Sequence, residues 1–133
     1  MSISLNANAA ILKGKKILVT REKNRKLYLL PGGGIKKDED PQQALIRELH
    51  EELGIKIDNK NLESLGKFSA PKVGRKTERE TQVFIVKKWS GEILPQGEVE
   101  AIEWINSNNL SLSLEWILKH PVIPKLREKG IIY

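Results

Sequence analysis

The 133-residue chain contains no cysteine, which removes disulfides, thiolate metal sites and a cysteine nucleophile from consideration. It has two histidines and seven aromatic residues. With so few rings, core packing is the default use of Tyr28, Phe68, Phe84, Trp89 and Trp104. Phe68 and Phe84 are the candidates for stacking a base, because both lie on strands that flank a basic loop. No apolar run approaches the roughly 20 residues that cross a bilayer. The opening MSISLNANAAIL lacks a basic segment followed by an apolar one, so the chain reads as cytoplasmic with no membrane partner. Repeats, low-complexity tracts and Pro/Ser-rich linkers are missing too, and residues 1–133 read as one domain.

Charge, by contrast, is plentiful: 23 lysines and arginines against 17 acidic residues, a net of +6. Lys13, Lys15, Lys16, Arg21, Lys23, Arg25, Lys26, Lys36 and Lys37 precede an acidic helix, and Lys72, Arg75, Lys76 and Arg79 lie in a later loop. A basic field around an acidic pocket suits a polyphosphate bridged through a metal ion. Surface lysines also serve solubility alone. Zinc-finger spacing, an aromatic RNA-binding signature and a basic helix are all missing, so nucleic acid stays open as a partner without being favoured.

Apolar runs and their punctuation predict the order of elements. ISLNANAAIL and ILVTRE (3–12 and 17–22) read as strands joined by a turn at Gly14, and KLYLL (26–30) as a third strand stopping at Pro31. A helix is predicted from Pro41 to Leu53. Asp40 can cap it, Pro41 suits its first turn, Gln43 completes a capping box, and Gly54 fits the left-handed position beyond its end. LESLGKFSAP (62–71) and TQVFIVKKW (81–89) read as a strand pair around the basic loop from Lys72 to Glu80, and AIEWIN (101–106) as the last strand. SLEWILKH (113–120) and IPKLREKG (123–130) read as short helical segments broken by Pro121 and Pro124.

At 100° per residue, Leu45, Ile46, Leu49 and Leu53 share one arc of the helix, while Glu48, Glu51 and Glu52 gather on an adjoining one. Each like-charged pair three or four apart costs a few tenths of a kcal/mol unless a cation relieves it. Hard ions such as Mg²⁺ take one or two carboxylates with waters and phosphate oxygens, and Glu48 and Glu52, one turn apart, can supply them. Gly32, Gly33 and Gly34 let the backbone approach a ligand closely. Taken alone, an acidic turn is more often a solvated face.

The spacing changes that balance. Gly33, five residues, Glu39, seven residues, then Arg47-Glu48-Leu49-His50-Glu51-Glu52-Leu53-Gly54-Ile55 resembles the Nudix box of the Nudix (MutT-like) hydrolases, G-x5-E-x7-R-E-U-x-E-E-x-G-U with U aliphatic. Every fixed position agrees. The resemblance implies an α/β protein of the Nudix-type α/β/α sandwich, built around a central mixed sheet, that hydrolyses a nucleoside diphosphate linked to another group. It implies Mg²⁺, with Mn²⁺ as a substitute, held by Glu48 and Glu52, with Glu51 as a third or more distant ligand and the Gly32 carbonyl as a backbone ligand. By the same likeness Glu39 and Arg47 pair to hold the loop against the helix, so Arg47 serves the catalytic group through geometry.

Members of the family often draw a general base, or a further metal ligand, from a loop far from the box. PQGEVEAIEW offers Glu98, Glu100 and Glu103, and Glu98, six residues before Trp104, resembles the placement in MutT-like members. Glu98 is therefore the favoured base, with Glu51 beside it in the catalytic set. Glu78 and Glu80 compete, since a base need only reach the water through space. Arg21 and Lys23, at the end of the second strand, are candidates for phosphate contact as well as ordinary solvated charges. His50 falls away from the acidic arc, and His120 reads as a helix-end or surface residue.

The resulting expectation is a Mg²⁺-dependent pyrophosphohydrolase acting on a small nucleotide, such as a nucleoside triphosphate or an oxidised one, as a monomer or homodimer. RNA 5′ ends or dinucleoside polyphosphates are the alternative substrates, and a nucleotide-binding module without turnover is the alternative to an enzyme.

Overall fold

Two positive backbone angles start the fold: Gly14 (φ 57°) and Lys15 (φ 65°) make a two-residue turn whose twist matches that of the strands it joins. In this computed structural model, which describes residues 3–70, 78–108 and 112–133, the turn links β1 (Ile3–Lys13) to β2 (Lys16–Glu22). There follow β3 (Gly32–Gly34), α1 (Pro41–Leu53), β4 (Leu62–Ala70), β5 (Glu78–Val86), β6 (Val99–Ile105) and α2 (Ile123–Glu128). The strands form one sheet in the order β4-β5-β1-β2-β6, with β3 pairing β1 off that path. The sheet is mixed: β1 and β5 run parallel, and the other pairs are antiparallel.

Alternation along β1 and β5 divides the core into two layers. Ala7, Ala9, Ile11, Phe84 and Val86 pack against Leu45, Leu49 and Leu53 of α1. Ala10, Leu12, Val83 and Ile85 face Leu118, Val122 and Leu126 of the C-terminal helical segment. Each large apolar side chain buried this way stabilises the fold by about 1.5–3 kcal/mol. The sheet thus lies between helices, as the α/β/α expectation required.

The central helix forms where its punctuation predicts. The Asp40 carboxylate accepts from the Gln43 N–H at 2.7 Å, the Gln43 side chain accepts from the Asp40 N–H at 2.9 Å, and Gly54 (φ 71°) ends the helix. Ala44, Leu45, Leu49 and Leu53 are buried, and Ile46 at the edge of that arc is half-buried.

Three expectations change. Residues 26–30 form no strand. Tyr28 and Leu29 make isolated bridges to Leu114 and Thr20, and the third strand falls instead in Gly32–Gly34. Pro31 has no N–H to add to a ladder, so regular pairing with β1 begins only after it. β5 starts at Glu78, earlier than the apolar pattern, because Glu78–Glu80 pair with β1 and β4 through their backbone. The tail is not broken at Pro121. A π-turn, Leu118–Val122, carries the chain through, with the Ile123 N–H donating five residues back to the Leu118 carbonyl. That wider spacing accommodates a proline, and Pro124 sits in the first turn of α2, where no N–H is needed. Lys72, Arg75 and Lys76 of the basic loop lie outside the described residues, as does the side chain of Glu78. No helix among the described residues is long and apolar enough to cross a membrane.

Candidate active site

The site begins with a backbone that only glycine can adopt. Gly32 has φ 132°, and a Cβ there would lie 2.2 Å from the Ala7 carbonyl oxygen and 2.7 Å from Asn8 Cα. In this close approach its N–H donates to Glu52 Oε1 at 3.0 Å. Gly33 performs the same service for the next turn of α1: a Cβ on it would meet the Glu48 carboxyl carbon at 2.8 Å. Two carboxylates one helical turn apart therefore lie against the glycine loop.

Arg47 fixes the loop's other end. It forks onto Glu39 through Nε (2.7 Å) and Nη2 (2.9 Å), donates from Nη1 to Glu48 at 2.9 Å, and reaches the Gly34 carbonyl at 3.2 Å. Glu39 also accepts from the Lys36 N–H at 3.0 Å. The Arg47 guanidinium, helped by that N–H, holds the Glu39 carboxyl down to about 2. Glu39, and after it Glu48, in turn raise the pKa of Arg47 against the opposing effect of burial.

Glu52 is perturbed in the other direction. Burial pushes its carboxyl up to about 8, the Gly32 N–H opposes this, and the negative charges of Glu48 and Glu22 add to it. A buried carboxyl beside another binds a proton at neutral pH or else a cation, and a divalent ion must displace that proton to bind. Glu22 escaped the sequence reading. It belongs to no motif, and its one signal was its place at the end of β2, where a register shift separates it from Arg21.

The other candidates divide. Glu51 is 56% exposed and lies 3.6 Å from Arg47. Among the described residues no three acidic or histidine side chains converge as a ready-made metal cage. Two carboxylates with waters and phosphate oxygens are nevertheless enough for Mg²⁺. The loop carrying Glu98 is laced to the end of α1: the Gln96 N–H donates to the Glu52 carbonyl (2.8 Å) and the Leu94 N–H to that of Leu53 (3.1 Å). The Glu98 carbonyl accepts from the Lys23 N–H at 2.9 Å, and both side chains are exposed. Glu100 lies 3.7 Å from Arg21, which also donates to the Arg25 carbonyl and lies over the Tyr28 ring. Glu103 sits exposed on β6 opposite Val19, and Glu80 half-buried on β5 opposite Ser69. Phe68 is half-buried beneath the Lys125 ammonium, 5.4 Å from its ring centroid. Phe84, the other stacking candidate, is 2% exposed and belongs to the core. His50 is exposed, and His120 packs on Trp116.

Residues 4–126 match the family model described as the NUDIX domain. The chain is similar to the ADP-ribose pyrophosphatase of Methanocaldococcus jannaschii, 32% identical over 103 residues that make up 75% of this chain and 60% of that protein. It is also similar to the 8-oxo-dGTP diphosphatase of Buchnera aphidicola subsp. Acyrthosiphon pisum, 37% identical over 82 residues, 61% of this chain and 63% of that protein. The matches thus span about three-fifths of each relative's length. The architecture is shared with the MutT NUDIX hydrolase from Burkholderia pseudomallei, at a TM-score of 0.81 and 23% identity, covering 96% of this chain and 98% of that one.

Proposed function

The chain belongs to the Nudix family, and from that premise we propose that it hydrolyses the diphosphate linkage of a nucleoside diphosphate derivative. The observation that carries this reading is the convergence of Glu48 and half-buried Glu52 on the glycine loop. Nudix hydrolases act on small nucleotides and generally use divalent metals. Mg²⁺, with Mn²⁺ as a substitute, suits two carboxylates that leave room for water and phosphate. Glu48, Glu52 and the Gly32 carbonyl would hold it, with Glu51 on the outer side. When bound, such an ion offsets charge on phosphate oxygens and acidifies water.

The chain's own residues do the rest. The glycine loop gives a diphosphate room to approach. Arg47, gripped by Glu39, keeps Glu48 turned toward that loop. The Glu98 carboxylate takes the proton from a water whose oxygen bonds to phosphorus as the bridging P–O bond breaks. Arg21 and Lys23 offer positive charge to the phosphates, and Phe68 offers a ring to the base. The relatives named for ADP-ribose and for 8-oxo-dGTP share a nucleoside diphosphate unit, which supports a nucleoside triphosphate or an oxidised nucleotide as substrate.

Product release decides the matter, measured over nucleoside triphosphates, oxidised nucleotides, ADP-ribose, dinucleoside polyphosphates and 5′-triphosphate RNA, with Mg²⁺ or with chelator. Cleavage of one class, lost in chelator and in Glu52→Gln, is expected. Nucleotide binding with no cleavage anywhere on the panel would refute turnover.

A further inference from the structure

We propose that Asn8 and Thr81, both far from the box in sequence, form a tether that aims the glycine loop at Glu52. Asn8 is 6% exposed and Thr81 1%; with Thr20 they are the buried polar side chains among the described residues. Ala7 and Ala9 belong to the layer under α1, so alternation along β1 turns Asn8 to the opposite face of the sheet. There its amide nitrogen donates to the carbonyls of Leu30 (3.0 Å) and Pro31 (3.4 Å), and its amide oxygen accepts from the Thr81 hydroxyl at 2.5 Å.

The geometry of one peptide unit turns this contact into control of the site. The Pro31 carbonyl and the Gly32 N–H belong to the same planar, trans peptide group and point in opposite directions. The carbonyl is fixed from β1 by Asn8 and by the Ala9 N–H, at 2.9 Å. Its N–H is thereby aimed at Glu52, 3.0 Å away. Pro31 has no N–H of its own with which to set the plane before it.

Thr81 supplies the direction. The two ends of an asparagine amide are nearly the same size, and a flipped Asn8 would press its oxygen against two carbonyl oxygens. The Thr81 hydroxyl, donating to the oxygen, selects the orientation that holds the loop. A line of hydrogen bonds therefore runs from β5 through β1 and the loop to the acidic helix. Asn8 and Thr81 are positioning residues; neither touches substrate. Only the consequence for metal rests on the reading of Glu52 as a ligand.

The test compares Thr81→Val, Thr81→Ser and Asn8→Ala with Ile85→Val, a core truncation in the same layer that leaves the tether intact. Two quantities are read: hydrogen exchange of the Gly32 amide in the metal-free protein, and the Kd for Mn²⁺. In Thr81→Val and Asn8→Ala the Gly32 amide should exchange about tenfold faster, the scale of one hydrogen bond. Mn²⁺ should bind about 10- to 100-fold more weakly, as when a group supporting a metal ligand is lost. Thr81→Ser should restore both quantities, and Ile85→Val should move neither. If Asn8→Ala fails to fold, the Thr81 pair decides. Unchanged Gly32 exchange in Thr81→Val, or equal acceleration in Ile85→Val, overturns the tether. Faster exchange with an unchanged Mn²⁺ Kd overturns its role in the site. A wild type that binds no Mn²⁺ refutes the metal reading instead, and the exchange data alone then uphold or overturn the tether.

Discussion

Replacing Glu52 by glutamine should stabilise the metal-free protein at neutral pH, by an amount that grows with pH. The amide oxygen of glutamine can still accept the Gly32 N–H, now at 3.0 Å from Oε1, so the change removes charge and little else. In the unfolded chain this carboxyl titrates near 4.5, and in the folded protein burial raises it to about 8. Between those values the folded state keeps a proton that the unfolded state has released. Stability therefore falls as pH rises, by about 1.4 kcal/mol per pH unit, and flattens below the lower value and above the upper one. From pH 5 to pH 7 the loss is roughly 3 kcal/mol, a large part of the 5–15 kcal/mol typical of a domain. Urea unfolding in chelator, followed by tryptophan fluorescence, measures it in both proteins, and their difference isolates this proton from every other titration. The negative charges of Glu48 and Glu22 help to hold that proton on Glu52, so the difference curve includes their effect on it. Added Mg²⁺ should stabilise the wild type at pH 8 and leave Glu52→Gln unmoved. A flat difference across pH 5–8, or a variant less stable at pH 7, would refute the reasoning.

Three more perturbations separate shape from chemistry. Gly33→Ala puts a methyl 2.8 Å from the Glu48 carboxyl carbon, the far end of a flexible side chain that Arg47 holds by a hydrogen bond. Mn²⁺ titration should show about tenfold weaker binding with little change in urea midpoint, whereas Gly32→Ala meets backbone and should cost at least about 2 kcal/mol in the same urea assay. Glu39→Gln should lower stability at pH 7. The wild type's advantage, present above pH 4.5, should fade as pH falls toward 2, as followed by circular dichroism. Glu98→Gln should lower kcat by about 10²- to 10⁴-fold while the Mn²⁺ Kd holds, and full turnover in that variant would remove Glu98 as the base.

Local chemistry was legible in the sequence where it acts over a few residues. The cap at Asp40, the stop at Gly54 and the two arcs of α1 are set within one helix, and each stands where the spacing put it. β3 was invisible because glycines carry no strand preference, and their ladder exists only through β1. The π-turn at Pro121 was equally hidden, since nothing local distinguishes a break from a wider turn. Glu22 lacked a motif, and its charge bears on Glu52 only through the way the end of β2 meets the helix in the folded protein. Asn8 did leave a trace. In ISLNANAAIL a second asparagine interrupts a run that is otherwise apolar from Ala7 onward, and an interior polar residue requires a partner.

The parallel pairing of β1 with β5 also has a bearing on folding kinetics. Ala9 lies opposite Phe84, so joining these strands closes a loop longer than half the chain, while the β1–β2 hairpin and α1 draw on near neighbours. The entropy of that closure is lost before its contacts form, which makes the step slow. During synthesis the whole glycine loop and acidic helix emerge before β5 does. Until β5 docks, Asn8 has no Thr81 to select its amide orientation, and the peptide that aims Gly32 lacks that support. Ligand-gripping competence should therefore arrive with long-range topology, late in refolding, rather than with the helix that bears the carboxylates.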